Sequence, residues 1–376
     1  MMKITELRKK NIRLLKILFC AAFMLICAAP VFMLDNVVYS FSENRRLATL
    51  PDFYENGKIG DDLGKRLEEY MKDHFPWRLK LIKFYYHFQY AFLKRIENEK
   101  AFVGDDGWMF GFYRTRDNRF YVQEYMYGLT EKNMAPFLTE AQKRSIDVYF
   151  FLVPERAQIY HQYWDKYYAR RPYMRSGDKF KETAAKYSNI EVFYPYEQLE
   201  ALSKQSMVFH KNDIHLYGKA GLQPLVDTFM QILQAKYFPN IPEYPKVIYG
   251  NGPAYNAHYS MELFLDEKRK GTTYEPASGA YASYSDIVYD NMTEQTINPS
   301  ALSDKSVLVI GNCYAESLFA QLREVFARTI LYRYNTDERS QTDRKLSWDD
   351  IDVVIVAVSA DITDEMNFLK QVGDKL

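Results

Sequence analysis

Ser306–Ala327 reads SVLVIGNCYAESLFAQLREVFA, and this stretch decides the fold. SVLVI is apolar after its first residue, as a strand must be when both of its faces are covered. Gly311-Asn312-Cys313-Tyr314 then makes a short turn, and Glu316–Ala327 reads as a helix. A buried strand feeding a helix through a tight turn is the repeating unit of a parallel sheet.

The same grammar extends outward from this unit. Asp147–Val153 (DVYFFLV), Ile190–Tyr194, Thr329–Tyr334 and Asp352–Val358 (DVVIVAV) read as further strands. Glu131–Ser145, Lys179–Ser188 and the amphipathic Gly218–Phe238 read as helices between them. The expectation is an α/β domain over residues 131–376, a parallel sheet flanked by helices. Residues 239–300, rich in Pro, Tyr, Asn and Gly, break the rhythm and read as an insertion or β-rich excursion.

Before residue 131 the pattern differs. Residues 35–130 read as a stalk followed by a helical and hairpin region packed on the main domain. Helical spacing over 58–95 is interrupted at His74-Phe75-Pro76-Trp77-Arg78, where Pro76 should end one helix and begin another. Tyr85, Tyr86, Phe88, Tyr90 and Phe92 make an aromatic cluster, read either as a face packed on the core or as a surface for a partner or glycan. Asp106-Gly107 between apolar flanks signals a hairpin.

The chain has 376 residues, 49 bases against 49 acids, 47% apolar residues and three cysteines. Such a composition excludes a disordered or collagenous chain, a disulfide scaffold and a polybasic nucleic-acid binder. The zero net charge averages unlike parts. Residues 1–16 carry Lys3, Arg8, Lys9, Lys10, Arg13 and Lys16 against Glu6, and Ile17–Leu34 carries no charge at all. Eighteen apolar residues span about 27 Å as a helix, roughly the thickness of a bilayer core. Residues 1–16 therefore read as a cytoplasmic tail, 17–34 as a single-pass transmembrane signal anchor, and the remainder as extracytoplasmic. A cleaved signal peptide is the competing reading, with small residues at Cys27-Ala28-Ala29, although Pro30 and the length of the run disfavour a cut. Cys20 and Cys27 lie in this run, and Cys313 is the cysteine of the remaining chain.

In a doubly wound sheet, ligands sit beyond the carboxyl ends of the strands, where Gly311-Asn312-Cys313-Tyr314 falls. A thiol there stands at a helix start, whose free N–H groups can stabilise an oxyanion. The plainer alternative is a small buried residue closing a turn. Asp213-Ile214-His215 is the second constellation. A carboxylate and an imidazole two residues apart in an extended segment face the same side, so Asp213 can orient the ring while His215 acts as base. His210 would extend this to an HxxDxH metal pattern, but no further close ligand is visible, so neither a metal nor another cofactor is expected.

Six segments, SENRRLATLP, DHFPWR, FVGDDGWMF, FFLVPERAQIY, NDIHLYGKAG and VLVIGNCY, together resemble the alginate O-acetyltransferase-type SGNH-hydrolase-like proteins, including the DHHW group. The resemblance covers most of the chain after the apolar run and keeps the family's order. It implies an SGNH-like fold and a membrane-anchored enzyme that moves acetyl groups onto polysaccharide hydroxyls, with a membrane-bound O-acyltransferase as donor partner. It assigns Asp213 as orienting acid, His215 as general base and Cys313 to the position of the family's nucleophilic Ser, with Gly311, Asn312 and Tyr314 in the oxyanion turn. Cysteine in place of serine, and Leu216 in place of a common aromatic, are departures. They leave two alternatives beside the acyltransferase: a non-catalytic glycan-binding or scaffold protein, and a carbohydrate esterase.

Overall fold

The computed structural model describes residues 12–25, 28, 34, 37–40, 45–55, 58–59, 62–114, 120–121, 129–168, 175–279, 282–289, 293–333, 347–360 and 369. The chain divides into two compact units, one of residues 1–96 with 261–266 and one of 97–260 with 267–376. The division falls after Ile96, so the hairpin read as part of the N-terminal arm belongs to the α/β unit instead.

In the first unit, residues 12–25 are helical. Residues 26–27 and 29–33 of the apolar run lie outside the described residues, and among the described residues no helix is long and apolar enough to cross a membrane. Two further helices follow, α1 (Leu63–Asp73) and α2 (Arg78–Leu93), broken at Pro76 as the sequence predicts. The chain after the apolar run is clasped to α1. Arg45 forms an ion pair with Asp73 at 2.5 Å, the Ala48 N–H donates to Asp73 at 2.8 Å, and His74 Nε2 meets the Ala48 carbonyl at 2.8 Å. The Arg45 hydrogen bond holds the Asp73 carboxyl down to about 2. The aromatic cluster of α2 does not enter a core, for none of that helix's residues is buried. Its rings lie on two faces: Tyr86 stacks on Phe264 at 5.4 Å, while Tyr85, Phe88 and Phe92 are exposed.

The second unit opens with the hairpin β1 (Ala101–Val103) and β2 (Met109–Gly111), turning at Asp106-Gly107, both in the left-handed region. Then come α3 (Leu129–Lys143), β3 (Asp147–Val153), α4 (Ser176–Ala184), β4 (Ile190–Phe193), α5 (Tyr196–Ser203) and α6 (Gln223–Tyr237). An antiparallel ribbon follows, β5 (Val247–Asn256) with β6 (Lys268–Pro276). The chain ends its pattern with β7 (Asp286–Tyr289), β8 (Thr293–Ile297), β9 (Ser303–Gly311), α7 (Cys313–Leu322), β10 (Phe326–Arg333) and β11 (Val353–Ser359).

The main sheet has seven strands in the order β4-β3-β11-β9-β10-β8-β7. The first five run parallel, and β8 and β7 are added antiparallel at one edge. Alternation along β3 shows why both faces are covered. Phe151 packs on Phe229 of α6, while its neighbour Phe150 meets Phe180 of α4 from the opposite side. Val307–Ile310 and Val353–Val358 are fully buried in the middle. At roughly 1.5–3 kcal/mol for each large side chain, these central strands carry much of the burial that stabilises the unit.

Two boundaries differ from the sequence reading. The helix expected over Glu316–Ala327 starts at Cys313, because Asn312 caps it, and stops at Leu322, because Phe326 already pairs with Ser303 in the sheet. The excursion at 239–300 does not stay outside the sheet, since its last strands, β7 and β8, extend the edge. Hydrophobic patterning misses β8, TEQTI, because two of its buried polar residues pair sideways: Glu294 meets Arg333 at 2.7 Å and Gln295 accepts from Arg328 at 3.0 Å.

Candidate active site

The segment from Val208 to Gly218 closes on itself like a hairpin. Phe209 and Leu216 pair across it and are buried, the Tyr217 N–H donates to the Val208 carbonyl at 2.8 Å, and the His210 N–H to the His215 carbonyl at 3.2 Å. Its tip carries Asp213 and His215. The chain then enters α6 through a wide π turn, Gly218–Leu222, a form that recurs at functional sites. Gly218 is required by close approach, since a Cβ there would lie 2.5 Å from the Gly250 carbonyl oxygen.

Asp213 is 1% exposed and fully engaged. Its Oδ1 accepts from His215 Nδ1 and, at 3.0 Å, from the His215 backbone N–H; its Oδ2 accepts from the His258 N–H at 2.6 Å. Arg269 of β6 brings Nε to 3.0 Å from Oδ1 as an ion pair. Burial pushes this carboxyl up, but His215, the His258 N–H and Arg269 together hold it well below the usual carboxylate range. Asp213 is therefore a fixed anion that sets the orientation of the His215 ring.

Cys313 is brought beside that ring by its neighbour Tyr314, whose ring lies 6.3 Å from the imidazole. For the His215 imidazole, burial acts downward, but the hydrogen bond to the Asp213 carboxylate and the neighbouring Cys313 side chain outweigh it and raise the pKa to about 9. The thiol is the first residue of α7 and is partly exposed, next to the end of β9. Its N–H, as the first of the helix, has no intrahelical acceptor. Gly311 sits at φ 153°, where an added Cβ would fall 2.0 Å from the Ala357 carbonyl oxygen of β11, so the turn needs glycine to lie so close to the sheet.

Asn312 caps α7 by accepting the Tyr314 N–H at 3.1 Å. The N–H of Tyr314, expected in the oxyanion turn, is thereby already bonded, and the residue acts through its side chain. The Tyr314 hydroxyl donates to the Ile214 carbonyl at 3.3 Å and ties the turn that carries Cys313 to the Asp-x-His tip. With its oxygen committed to the cap, Asn312 has its amide NH₂ left to donate. Deeper in α7, Ser317 Oγ donates to the Cys313 carbonyl at 2.9 Å.

His210 lies behind the tip. Burial pushes it down to about 4, leaving a neutral ring 3.8 Å from Tyr217. Among the described residues no three His, Cys, Asp or Glu side chains converge in a way that could hold a metal ion.

Three contributors escaped the sequence reading. Arg269 and the backbone of His258 come from the excursion, where no motif marked them. Arg156, within FFLVPERAQIY, donates from Nη1 to the carbonyls of His210 and Lys211, each at 2.8 Å, so it holds the base of the tip. Its guanidinium lies 4.6 Å from the Tyr259 ring and 4.8 Å from that of Phe110. The signal was available, because a charged residue just beyond a buried strand needs a polar partner.

No family model and no curated protein matches the sequence. Solved structures do match in fold. Bacillus cereus PatB1 superposes with a TM-score of 0.51 at 12% identity, over 72% of this chain and 99% of that one. The same protein with a sulfonyl adduct gives 0.53 at 11%, over 72% and 98%. A DHHW family protein from Eubacterium siraeum (0.49, 14%, 74% and 97%) and the O-acetyltransferase domain of Pseudomonas putida AlgJ (0.45, 14%, 74% and 100%) are also similar. The chain thus shares the fold of PatB1.

Proposed function

We propose that this chain is an extracytoplasmic O-acyltransferase, held to the cytoplasmic membrane by residues 17–34, that moves an acetyl group onto hydroxyls of a cell-surface or secreted polysaccharide. One observation carries the reading: the buried Asp213 holds the His215 ring, and the Tyr314 hydroxyl, 3.3 Å from the Ile214 carbonyl, ties the Cys313 turn beside it. That is the arrangement of orienting acid, base and nucleophile that acyl transfer requires. The six-segment resemblance and the fold shared with PatB1 are consistent with it.

In this reading Cys313 Sγ attacks the acyl carbon of an activated donor brought by a membrane-bound O-acyltransferase. The C–S bond forms, the donor's bond to the acyl carbon breaks, and the thiol proton passes through His215 to the leaving group. A polysaccharide hydroxyl then attacks the thioester; His215 takes its proton, the ester C–O bond forms, the C–S bond breaks and the thiol is restored. The Cys313 N–H and the Asn312 amide are the donors offered to the oxyanion. Asp213 stays ionised throughout and holds Nδ1–H, which leaves the other ring nitrogen for the proton transfers. A raised imidazole pKa suits this role, because the protonated ring can give its proton to the leaving group.

Intact-protein mass after incubation with an activated acetyl ester tests the proposal. A single acetyl adduct is expected, absent from Cys313→Ala and slowed in His215→Ala. No adduct, or one that persists in Cys313→Ala, sinks the mechanism and favours the non-catalytic glycan-binding alternative.

A further inference from the structure

Helix α2, RLKLIKFYYHFQYAFL, carries Arg78, Lys80 and Lys83 and no acidic residue. Leu81, Phe84, Tyr85, Phe88 and Phe92 fall within one arc of about 100° around it, at 3.6 residues per turn. All five are exposed, Phe84 by 68% and Phe92 by 72%, and Phe88 stacks between Phe84 at 6.2 Å and Phe92 at 4.5 Å. The opposite face is the one that packs, through Tyr86 on Phe264 and Lys83 on Asp266 at 2.8 Å. On the helical wheel Arg78 and Lys80 border the aromatic arc, one on each side.

Trp77 precedes the helix and is 55% exposed. Its backbone stands in the left-handed region at φ 64°, costly for a bulky residue. The other three tryptophans, Trp108, Trp164 and Trp348, are at most 6% exposed. An exposed indole at the head of an aromatic arc, bordered by bases, has the form of a helix lying in a membrane interface.

The chain supplies the proximity. Arg45 is pinned to Asp73 of α1, which leads directly into α2. Eleven residues of chain from Leu34 to Arg45 can span at most about 40 Å. A unit anchored through residues 17–34 is thereby kept within reach of the bilayer surface.

We infer that the exposed face of α2, headed by Trp77, docks on the anionic headgroup region of the same membrane that holds the anchor, burying Phe84, Phe88 and Phe92 at the acyl boundary while Arg78 and Lys80 meet lipid phosphates. The inference rests on the anchor reading above, and two measurements separate their fates. The full chain is reconstituted in vesicles of brominated phosphatidylcholine, with or without an equal part of phosphatidylglycerol, and washed with alkaline carbonate. Retention reports the anchor, and tryptophan quenching by the brominated chains reports the helix. Quenching is expected with phosphatidylglycerol, weaker without it, lost in Trp77→Tyr, and cut at least twofold in Phe88→Asp/Phe92→Asp with near-ultraviolet circular dichroism unchanged. Chain that is retained yet is quenched by the brominated lipid no more than Trp77→Tyr in every vesicle overturns the docking and leaves the anchor standing. Retained chain with unquenched Trp77 that cross-links into dimers through α2 also overturns it, in favour of a second copy. Release by carbonate with quenching beforehand refutes the anchor alone.

Discussion

Arg269 and His215 share one carboxylate oxygen: Arg269 Nε lies 3.0 Å from Asp213 Oδ1, the atom that also accepts the His215 ring N–H. The two cations therefore compete for the same charge. Arg269→Gln leaves His215 as the main counter-ion, so the imidazole should hold its proton to higher pH. The same change removes a nearly buried partner of Asp213 and should cost about 1–3 kcal/mol of stability. Denaturant titration with a parallel pH profile of acetyl-adduct formation checks both. A lowered alkaline midpoint would contradict the competition.

Asp213→Asn removes the anion that raises the His215 pKa to about 9. Adduct formation in the unaltered protein should decline above about pH 9, as the ring loses the proton it gives to the leaving group. In Asp213→Asn that decline should begin well below pH 9, and the maximal rate should fall on the order of 10³-fold or more, since the ring loses its fixed tautomer. Stopped acylation assays across pH 6 to 10, read by mass, report both quantities.

Stability should follow the same two groups with opposite signs. His215 is raised in the folded protein, so its contribution is complete below about pH 6.5 and is lost as pH climbs through about 9. Asp213 is depressed, so its contribution is present above about pH 4 and is lost only as pH falls into the strongly acidic range. Comparing unfolding midpoints of the protein and His215→Gln should show a difference that shrinks between pH 6.5 and 9. A difference independent of pH in that window would mean the ring is not protonated in the fold.

Gly311→Ala places a methyl group 2.0 Å from a backbone oxygen of the neighbouring strand at a φ of 153°. Backbone cannot yield as a side chain can, so a loss of about 2–4 kcal/mol is expected, together with loss of adduct. Gly64→Ala in α1 is the contrast: no atom lies within 4 Å of its added Cβ, and helix propensity predicts a gain of up to about 1 kcal/mol. Calorimetric midpoints of the two variants should move in opposite directions.

The central strands were legible because they bury both faces, so hydrophobic content alone marks DVYFFLV, SVLVI and DVVIVAV. The Asp213, His215 and Cys313 elements were legible because each is local: a two-residue spacing in one case, a strand-turn-helix in the other. Two kinds of feature were not. Strand β8 is stabilised by cross-strand Arg333 and Arg328, and a polar strand paired this way has no apolar alternation to read. Arg269 and the His258 N–H meet Asp213 only through the fold of the excursion, a long-range contact that no spacing encodes. The exposure of the α2 aromatics was equally hidden, since five rings in one helix look the same whether they face a core or its opposite.

Strand β11 is the last of the sheet to be made, yet it lies between β3 and β9. A chain emerging from its amino end can form β3 with β4, and later β9 with β10, but the two halves cannot join until residues 353–359 arrive. Pairing across more than 200 residues is slow and exposes apolar edges meanwhile. The turn that carries Cys313, whose Gly311 pairs with Ala357 of β11, is therefore completed only in that concluding step. A shortened product lacking that strand would be two open half-sheets, a substrate for proteases.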